Sequence, residues 1–406
     1  MVHLRRGETL RRYLKPGLDD GQTYVYWGRN YQADGIPGPE RSRTWVNQPE
    51  KFYGSTTGAG YRPGQARFAN AVYTYRPNFT NGDYREGVTN ESDRQVTFEF
   101  NSPYIIAATP ASQEPWGVYE TGCRNGLVIQ SSKPIAVSIS VDRGQIWKQA
   151  SSQPSNQANA IDLTDFAKGH RQYWLRFESG AAELKGSDLK ITTVCQSNSS
   201  IIPRLTDNGS VVRFQSSGLA LESAGPNMAQ AAQHIVDGKF DSPRVTLQLA
   251  APRNSPLAKV YAATHAASSN PPSPEITYRI EYSVDSGKSW SDMVEDWRIT
   301  RQGEEPAGFW SQSFCWGSAN LPETANSVQV RFRNNGGKRN LRAEMHVAYR
   351  LPREDDTRVT FHWKDQDGRH TESQTFAPGT QAAKPEWKLA TGASVETLWV
   401  EYAPEP

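Results

Sequence analysis

Val328-Gln-Val-Arg-Phe-Arg-Asn-Asn-Gly-Gly-Lys-Arg-Asn-Leu-Arg-Ala-Glu-Met-His-Val-Ala-Tyr349 decides the fold class. Val328, Val330 and Phe332 alternate with Gln329, Arg331 and Arg333. Beyond the break, Leu341, Ala343, Met345, Val347 and Tyr349 alternate with Arg342, Glu344 and His346. A period of two puts apolar side chains on one face and polar ones on the other, as in an antiparallel sheet with one wet face. Asn334-Asn-Gly-Gly337 supplies residues that tolerate positive φ, so the stretch predicts a hairpin of adjacent strands. Its outward stripe would then hold Arg331, Arg333, Arg342, Glu344, His346 and Arg350. Such a face suits an acidic polysaccharide or another subunit; the plainer alternative is a solvated sheet with cross-strand ion pairs.

The same rhythm runs outward from this stretch. Val96, Phe98 and Phe100 alternate with Gln95, Thr97 and Glu99, and Val137 and Ile139 with Ser138 and Ser140. Tyr173, Leu175 and Phe177 follow, then the stripe Ile276, Tyr278, Ile280, Tyr282 and Val284, and the strand candidates Val359–Trp363 and Val395–Tyr402. Only Asn227–Val236 has a helical composition. Gly (32) and Pro (26) are frequent enough to join many short strands by tight turns. The fold expected is all-β: two stacked antiparallel β-sandwich, jelly-roll-like modules with a loop-rich N-terminal segment. The expected boundaries are 1–87 for an aromatic- and Arg-rich segment packing on the sandwiches, 88–200 for the first sandwich and 201–406 for the second.

Composition removes several functions. A net charge of +2 gives no argument for nucleic acid, and no apolar run is long enough to cross a membrane. Cys123, Cys195 and Cys315 include no C-x-x-C pair, which excludes a zinc site of the usual spacing and allows at most one disulfide. The seven His show no metal-ligand spacing, so no metal and no cofactor is expected; structural calcium held by loop oxygens stays open because it leaves a faint signature. Phosphate-binding glycine motifs and the G-x-S-x-G elbow are absent.

One motif occurs twice: Ser140-Val-Asp142-Arg-Gly144-Gln-Ile-Trp147 and Ser283-Val-Asp285-Ser-Gly287-Lys-Ser-Trp290, each directly after an alternating strand. The Asp can accept turn amides, the Gly gives a permissive backbone and the Trp plugs the hairpin base. The pattern resembles the Asp-box hairpin of bacterial sialidases and related glycan-acting proteins, with Ile146 and Ser289 where that family has Thr. The resemblance implies a structural role, since those hairpins lie away from the catalytic centre. The copies are 143 positions apart, far more than the ~40–50 residues of a propeller blade, so they predict one hairpin per sandwich.

Leu4-Arg-Arg-Gly-Glu-Thr-Leu10, Pro37-Gly-Pro-Glu-Arg-Ser-Arg-Thr-Trp-Val-Asn-Gln-Pro-Glu50 and Val330-Arg-Phe-Arg-Asn-Asn-Gly-Gly337 resemble an uncharacterised family of large, exported bacterial β-sandwich proteins. This resemblance covers most of the chain and implies export and sandwich architecture, but no reaction. The start Met1-Val-His-Leu-Arg-Arg lacks a signal-peptide core, so an extracellular or cell-surface location would require a mature or trimmed chain.

The expected carbohydrate-binding cluster is Glu40, Arg41, Arg43, Trp45, Asn47, Glu50, Tyr53 and Tyr61. Sugar sites combine an aromatic platform with carboxylates and planar Arg or Asn groups, and Glu40 with Glu50 would supply the two carboxylates of a glycosidase or lyase. The plainer reading is a loop pinned by ion pairs. Two functions follow: an exported protein that binds or processes a polysaccharide or glycan, or a non-catalytic subunit that self-assembles at the cell surface.

Overall fold

The computed structural model describes residues 3–22, 24–27, 44–46, 68–108, 121–150, 160–198, 202–225, 231–240, 242–252, 255–268, 277–298, 311–335, 340–351, 355–378 and 386–405. Strand is the dominant regular element of these residues, and helix is limited to short turns such as α1 (Thr164–Ala167) and α2 (Ala181–Leu184). The chain divides into two compact units, one built on Gly218–Glu354 and a larger one built on the segments before and after it.

The inserted unit contains β15 (Leu219–Ala224), β16 (Ile235–Gly238), β17 (Arg244–Ala250), β18 (Leu257–Ser268) and β19 (Tyr278–Ser283). It continues with β20 (Ser291–Trp297), β21 (Ser311–Asn320), β22 (Ser327–Asn334) and β23 (Asn340–Arg350). A four-stranded sheet, β15-β23-β18-β21, faces a five-stranded one, β16-β17-β22-β19-β20. Val260, Ala262, Cys315, Met345 and Val347 from the first meet Val245, Leu247, Ile280, Val328, Val330 and Phe332 from the second in one buried core. The entry and exit of this unit adjoin: Leu219 pairs with Arg350, and the Leu351 amide donates to the Gly218 carbonyl at 3.0 Å.

The larger unit begins with β1 (Glu8–Tyr13), β2 (Tyr24–Trp27), β3 (Thr44–Val46), β4 (Phe68–Tyr75), β5 (Val88–Ser92), β6 (Gln95–Asn101) and β7 (Ala107–Ala108). Then come β8 (Leu127–Gln130), β9 (Val137–Ser140), β10 (Lys148–Gln149), β11 (Ala160–Asp162), β12 (Gln172–Phe177), β13 (Lys190–Asn198) and β14 (Ser210–Arg213). After the insertion it closes with β24 (Asp356–Asp365), β25 (Gly368–Phe376), β26 (Glu386–Leu389) and β27 (Glu396–Glu405). Its five-stranded sheet, β10-β9-β12-β6-β5, packs Val96, Phe98, Val137, Ile139, Tyr173, Leu175 and Phe177 against Leu127, Ile129, Ile191 and Cys195. Those partners belong to an eight-stranded sheet ordered β11-β8-β13-β4-β1-β27-β24-β25.

The two units share one topology. Numbering nine strands along the chain from β4 (omitting β7) and from β15, both units read 1-9-4-7 in one sheet and 2-3-8-5-6 in the other. Without the extra hairpin strand at position two, this is the eight-strand double Greek key of a jelly roll. Both S-x-D-x-G-x-x-W turns join strands five and six, so each sandwich carries one copy at an equivalent place.

The boundaries differ from those expected. Residues 210–213 and 356–405 form strands of the larger unit, so the second sandwich is narrower than 201–406. Nor is the N-terminal segment only an appendage: β1 lies between β4 and β27, and Arg5 is buried under Tyr75 and Phe100, 4.4 Å from each ring centroid. Alternation specifies which face a strand buries but not which strand it pairs with, and here the pairing partners are hundreds of residues apart. A two-stranded sheet, β14-β26, and the inner side chains of β24 and β27 enclose a further core of Val359, Phe361, Trp363, Trp387, Leu389 and Val400. The three-stranded sheet β3-β2-β7 covers part of the outer face of the large sheet, where Tyr24, Ile106 and Ala108 pack on Val194 and Val72.

The opening hairpin is also corrected. β22 and β23 run in opposite sheets, so the connection after Asn334 turns a corner of the sandwich. β19 keeps its alternation, with Ile280 and Tyr282 on the core side and Glu281 buried on the outer face opposite Arg331; the bulges against it fall in β20, and Val284, past the end of the strand, is exposed. Ile235–Gly238, at the end of the helix-like stretch, is strand. All three cysteines are buried free thiols, and burial pushes Cys195 and Cys315 up to about 12.

Candidate functional site

Glu40, Arg41, Arg43, Asn47, Glu50, Tyr53 and Tyr61 lie outside the described residues. Of the expected cluster only the backbone of Trp45 is placed, in β3 opposite Tyr26.

The two motif hairpins are built alike. The Ser140 hydroxyl donates to Asp142 at 2.6 Å and accepts the Gly144 amide at 2.9 Å; the Asp142 carboxylate accepts the Ile146 amide at 2.9 Å. Ser283, Asp285, Gly287 and Ser289 repeat these bonds at 2.7, 2.8 and 3.0 Å. Arg143 and Gly144, and likewise Ser286 and Gly287, have positive φ. Glycine is needed twice over, since a Cβ on Gly144 would also come 3.0 Å from the Trp174 ring, and one on Gly287 3.0 Å from the Gln329 amide oxygen. The Ser289 hydroxyl adds a second bond to Asp285, and these bonds hold its carboxyl well below the usual range. Burial raises that of Asp142, but the Ile146 amide and Ser140 hydroxyl outweigh it and the net shift is downward.

Each motif tryptophan then stacks on an arginine from strand eight of its sandwich. Trp147 lies 4.4 Å from Arg176, and Trp290 lies 3.9 Å from Arg331. Arg331 in turn donates two bonds to Glu281, at 2.9 and 3.1 Å, and Arg333 adds another at 2.9 Å. Glu281 is only 5% exposed. The polar groups are engaged inside the protein, so both hairpins act as staples. The expected outward stripe is divided as well: Arg331 and Arg333 belong to one sheet, Arg342, Glu344, His346 and Arg350 to the other.

That other sheet carries the most open aromatic surface among the described residues. In β21 Cys315 and Gly317 point inward and Trp316 points out, 72% exposed. Gly317 fits because a Cβ there would come 2.8 Å from a Val294 methyl. Other tryptophans have their faces occupied. Trp399 stands between His362, at 4.6 Å, and Tyr13, at 5.6 Å; Trp387 packs on Phe361 and Phe376; Trp297 meets Tyr278. Among the described residues no ring or cation lies over Trp316.

Register places its neighbours. Trp316 is opposite Ala263, which is opposite Glu344; one step along, Ser318, Tyr261, His346 and Ser223 form a parallel row. Trp316 and Glu344 are therefore two strand spacings apart, roughly 10 Å, with the small Ala263 between them. The result is a notch with an indole wall, a methyl floor and a carboxylate wall. Gly225, at φ 118°, backs the acid so closely that a Cβ there would come 2.7 Å from that of Glu344. The Ser223 hydroxyl and His346 Nδ1 share a hydrogen bond of 2.7 Å, and Lys259 lies over the Tyr261 ring at 5.1 Å.

Glu344 and His346 were singled out in the sequence; Trp316, Ala263 and Tyr261 were not. The signal for Trp316 was Cys315-Trp-Gly317, where alternation with a small inward residue leaves Trp on the wet side. Among the described residues, no group of three or more His, Cys, Asp or Glu could hold a metal, and no helix is long and apolar enough to cross a membrane.

No family model matches the sequence, and no curated protein matches it. The chain is similar to the structure of dimeric latent PorU from Porphyromonas gingivalis, at 10% identity, over 77% of this chain and 33% of that one, with a TM-score of 0.23. It thus spans about a third of the PorU chain. It is also similar to the CUB1-EGF-CUB2 domain of human MASP-1/3, at 8% identity, 68% and 98% coverage and a TM-score of 0.15. A third structure is the infectious bursal disease virus VP2 subviral particle, at 10% identity, 84% and 80% coverage and a TM-score of 0.18. At such TM-scores none of the three bears on the function of this chain.

Proposed function

We propose that the protein binds carbohydrate, and that the notch between Trp316 and Glu344 is a glycan-binding surface. The observation that carries this reading is the open indole of Trp316, 72% exposed on the outer face of β21 beside Ala263. A pyranose has an apolar C–H face and a rim of hydroxyls. An exposed indole receives the first, and a carboxylate beside it accepts hydrogen bonds from the second. Action on glycans outside the cell belongs to the same proposal.

Affinity electrophoresis of the full chain in gels containing polysaccharides tests it. Retardation by at least one polysaccharide, abolished by Trp316→Ala without loss of the folded state by circular dichroism, is expected. Equal retardation of the wild type and Trp316→Ala would remove the notch from the account.

A further inference from the structure

Strand β25 offers a second surface, independent of the notch. We infer that this sheet edge is where two copies of the chain meet, β25 pairing antiparallel with β25 of the second copy about a two-fold axis at Ser373.

β25 is the last strand of the eight-stranded sheet, and among the described residues it pairs with β24 alone. Asp365 and Gly368 face each other across the two-residue loop Gln366-Asp367, so they exchange main-chain bonds. The same parity runs along the ladder, and His370, Glu372, Gln374 and Phe376 bond back to β24. The amides and carbonyls of Arg369, Thr371, Ser373 and Thr375 therefore point away from the sheet, and all four residues are exposed. The three hydroxyls do not turn round to cap them. Thr371 bonds His362, Ser373 bonds Thr360 and Thr375 donates to Glu405, at 2.9, 2.8 and 2.9 Å.

An edge of this kind is a template for another strand, and proteins usually blunt it with Lys, Pro, a bulge or a short length. β25 has nine residues, Gly368-Arg-His-Thr-Glu-Ser-Gln-Thr-Phe376, without Lys or Pro and without a shift in register. Several other edges are blunted: β10 and β11 have two and three residues, and the ladders of β5, β16 and β20 are irregular. Glu372 is no guard, since it is turned to the inner face and accepts the Trp387 indole N–H at 2.9 Å.

The sequence of the strand selects a second copy as its occupant. With Ser373 opposite Ser373, Thr371 faces Thr375 and Glu372 faces Gln374 of the second copy, so no like charges are opposed. Outward groups meet outward groups in this register, giving about six main-chain bonds, two for each such pair. Near each end Arg369 stands diagonally across from Thr375 of the second copy, beside which the Glu405 carboxylate lies. Moving the axis one residue, onto Glu372, sets two carboxylates directly against each other and is penalised. The contact is smaller than the ~1,200 Å² at which stable interfaces begin, so the dimer is reversible.

Sedimentation velocity of the full chain from about 5 µM to about 0.5 mM tests the pairing. Wild type should pass from monomer to dimer across this range. Ser373→Pro removes the central outward amide and keeps the ladder to β24, since an edge strand accepts Pro where its N–H faces solvent. It should weaken the dimer at least about tenfold with the circular dichroism unchanged. Should that variant fold poorly, Thr371→Lys combined with Thr375→Lys sets like charges opposite each other and should weaken the dimer as much. Ser373→Cys reads the axis, because the native thiols are buried and facing Cα atoms of a bonded pair lie about 5.5 Å apart, within disulfide reach. It should form a covalent dimer under mild oxidation, and Arg369→Cys should not. A wild type that stays monomeric throughout, a dimer undiminished in the folded Pro or Lys variant, or cross-linking at position 373 no faster than at 369 overturns the pairing.

Discussion

The outer faces of the two equivalent sheets, both of order 1-9-4-7, carry opposite chemistry. In the larger unit Val72 and Val194 face outward and are roofed by Tyr24, Ile106 and Ala108 of the small three-stranded sheet. In the inserted unit the corresponding face bears Tyr261, Ala263, Trp316, Glu344 and His346. The inner faces are alike in kind, mostly Val, Leu, Ile, Phe, Tyr and small residues. Packing therefore fixes one side of each sheet, while the other side is free to diverge. One copy invested it in a local roof, and the other leaves the Trp316 indole exposed there.

The largest effect that would sharpen this contrast is on stability. Tyr24→Ala empties a fully buried ring site and breaks a 2.8 Å bond to Asp20, so it should cost about 3–5 kcal/mol in urea unfolding. Trp316→Ala removes a ring of similar size from the open face and should change stability by no more than about 0.5 kcal/mol. Similar costs for the two would mean that the second face is covered too, and would end the comparison.

Next in size is the contrast between the two arginine stacks. Glu281 is buried and receives both Arg331 and Arg333, so Glu281→Ala leaves buried charge unpaired and should cost about 3 kcal/mol. In the other sandwich Arg176 reaches the more exposed Glu178, and Glu178→Ala should cost no more than about 0.5 kcal/mol. Matching losses in chemical denaturation would show that the two staples carry equal load despite their different burial.

The smallest effect concerns acid. A carboxyl held low in the folded state stabilises the protein fully above the unfolded value, about 3.9 for Asp, and this support fades as pH falls toward the folded value. Asp285 has the Ser289 hydroxyl, whereas Asp142 faces the exposed Ile146. Ser289→Ala should therefore move acid unfolding to higher pH, and Ile146→Thr should move it to lower pH. Tm measured from pH 6 to pH 2 reads both, and shifts of the opposite sign would refute the assignment.

Individual strands were legible wherever apolar and polar residues alternate: Val96–Phe100 and Tyr173–Phe177 bury the residues their spacing indicates. The motif spacing correctly placed one hairpin in each sandwich, because its Ser, Asp and Gly satisfy one another locally. Sheet membership was not legible. Asn334-Asn-Gly-Gly337 reads as a hairpin turn by local φ preference, yet the strands on either side bury their faces from opposite layers of one core. The burial of Glu281 on an outer face likewise depends on Arg331 and Arg333 of the neighbouring strand, a cross-strand demand without a local signal. The notch escaped notice for a related reason: Trp316, Ala263 and Glu344 come from three distant segments and meet only through register.

Because Gly218 and Leu351 are hydrogen-bonded to each other, the inserted unit has a doorway only one strand pair wide. A cassette with such a doorway can be lifted out and its host rejoined by a few residues between Ser217 and Asp355, or replaced by another domain whose ends also meet. Evolution could thus exchange the inserted sandwich while leaving untouched the sheet in which β1 and β27 lie side by side.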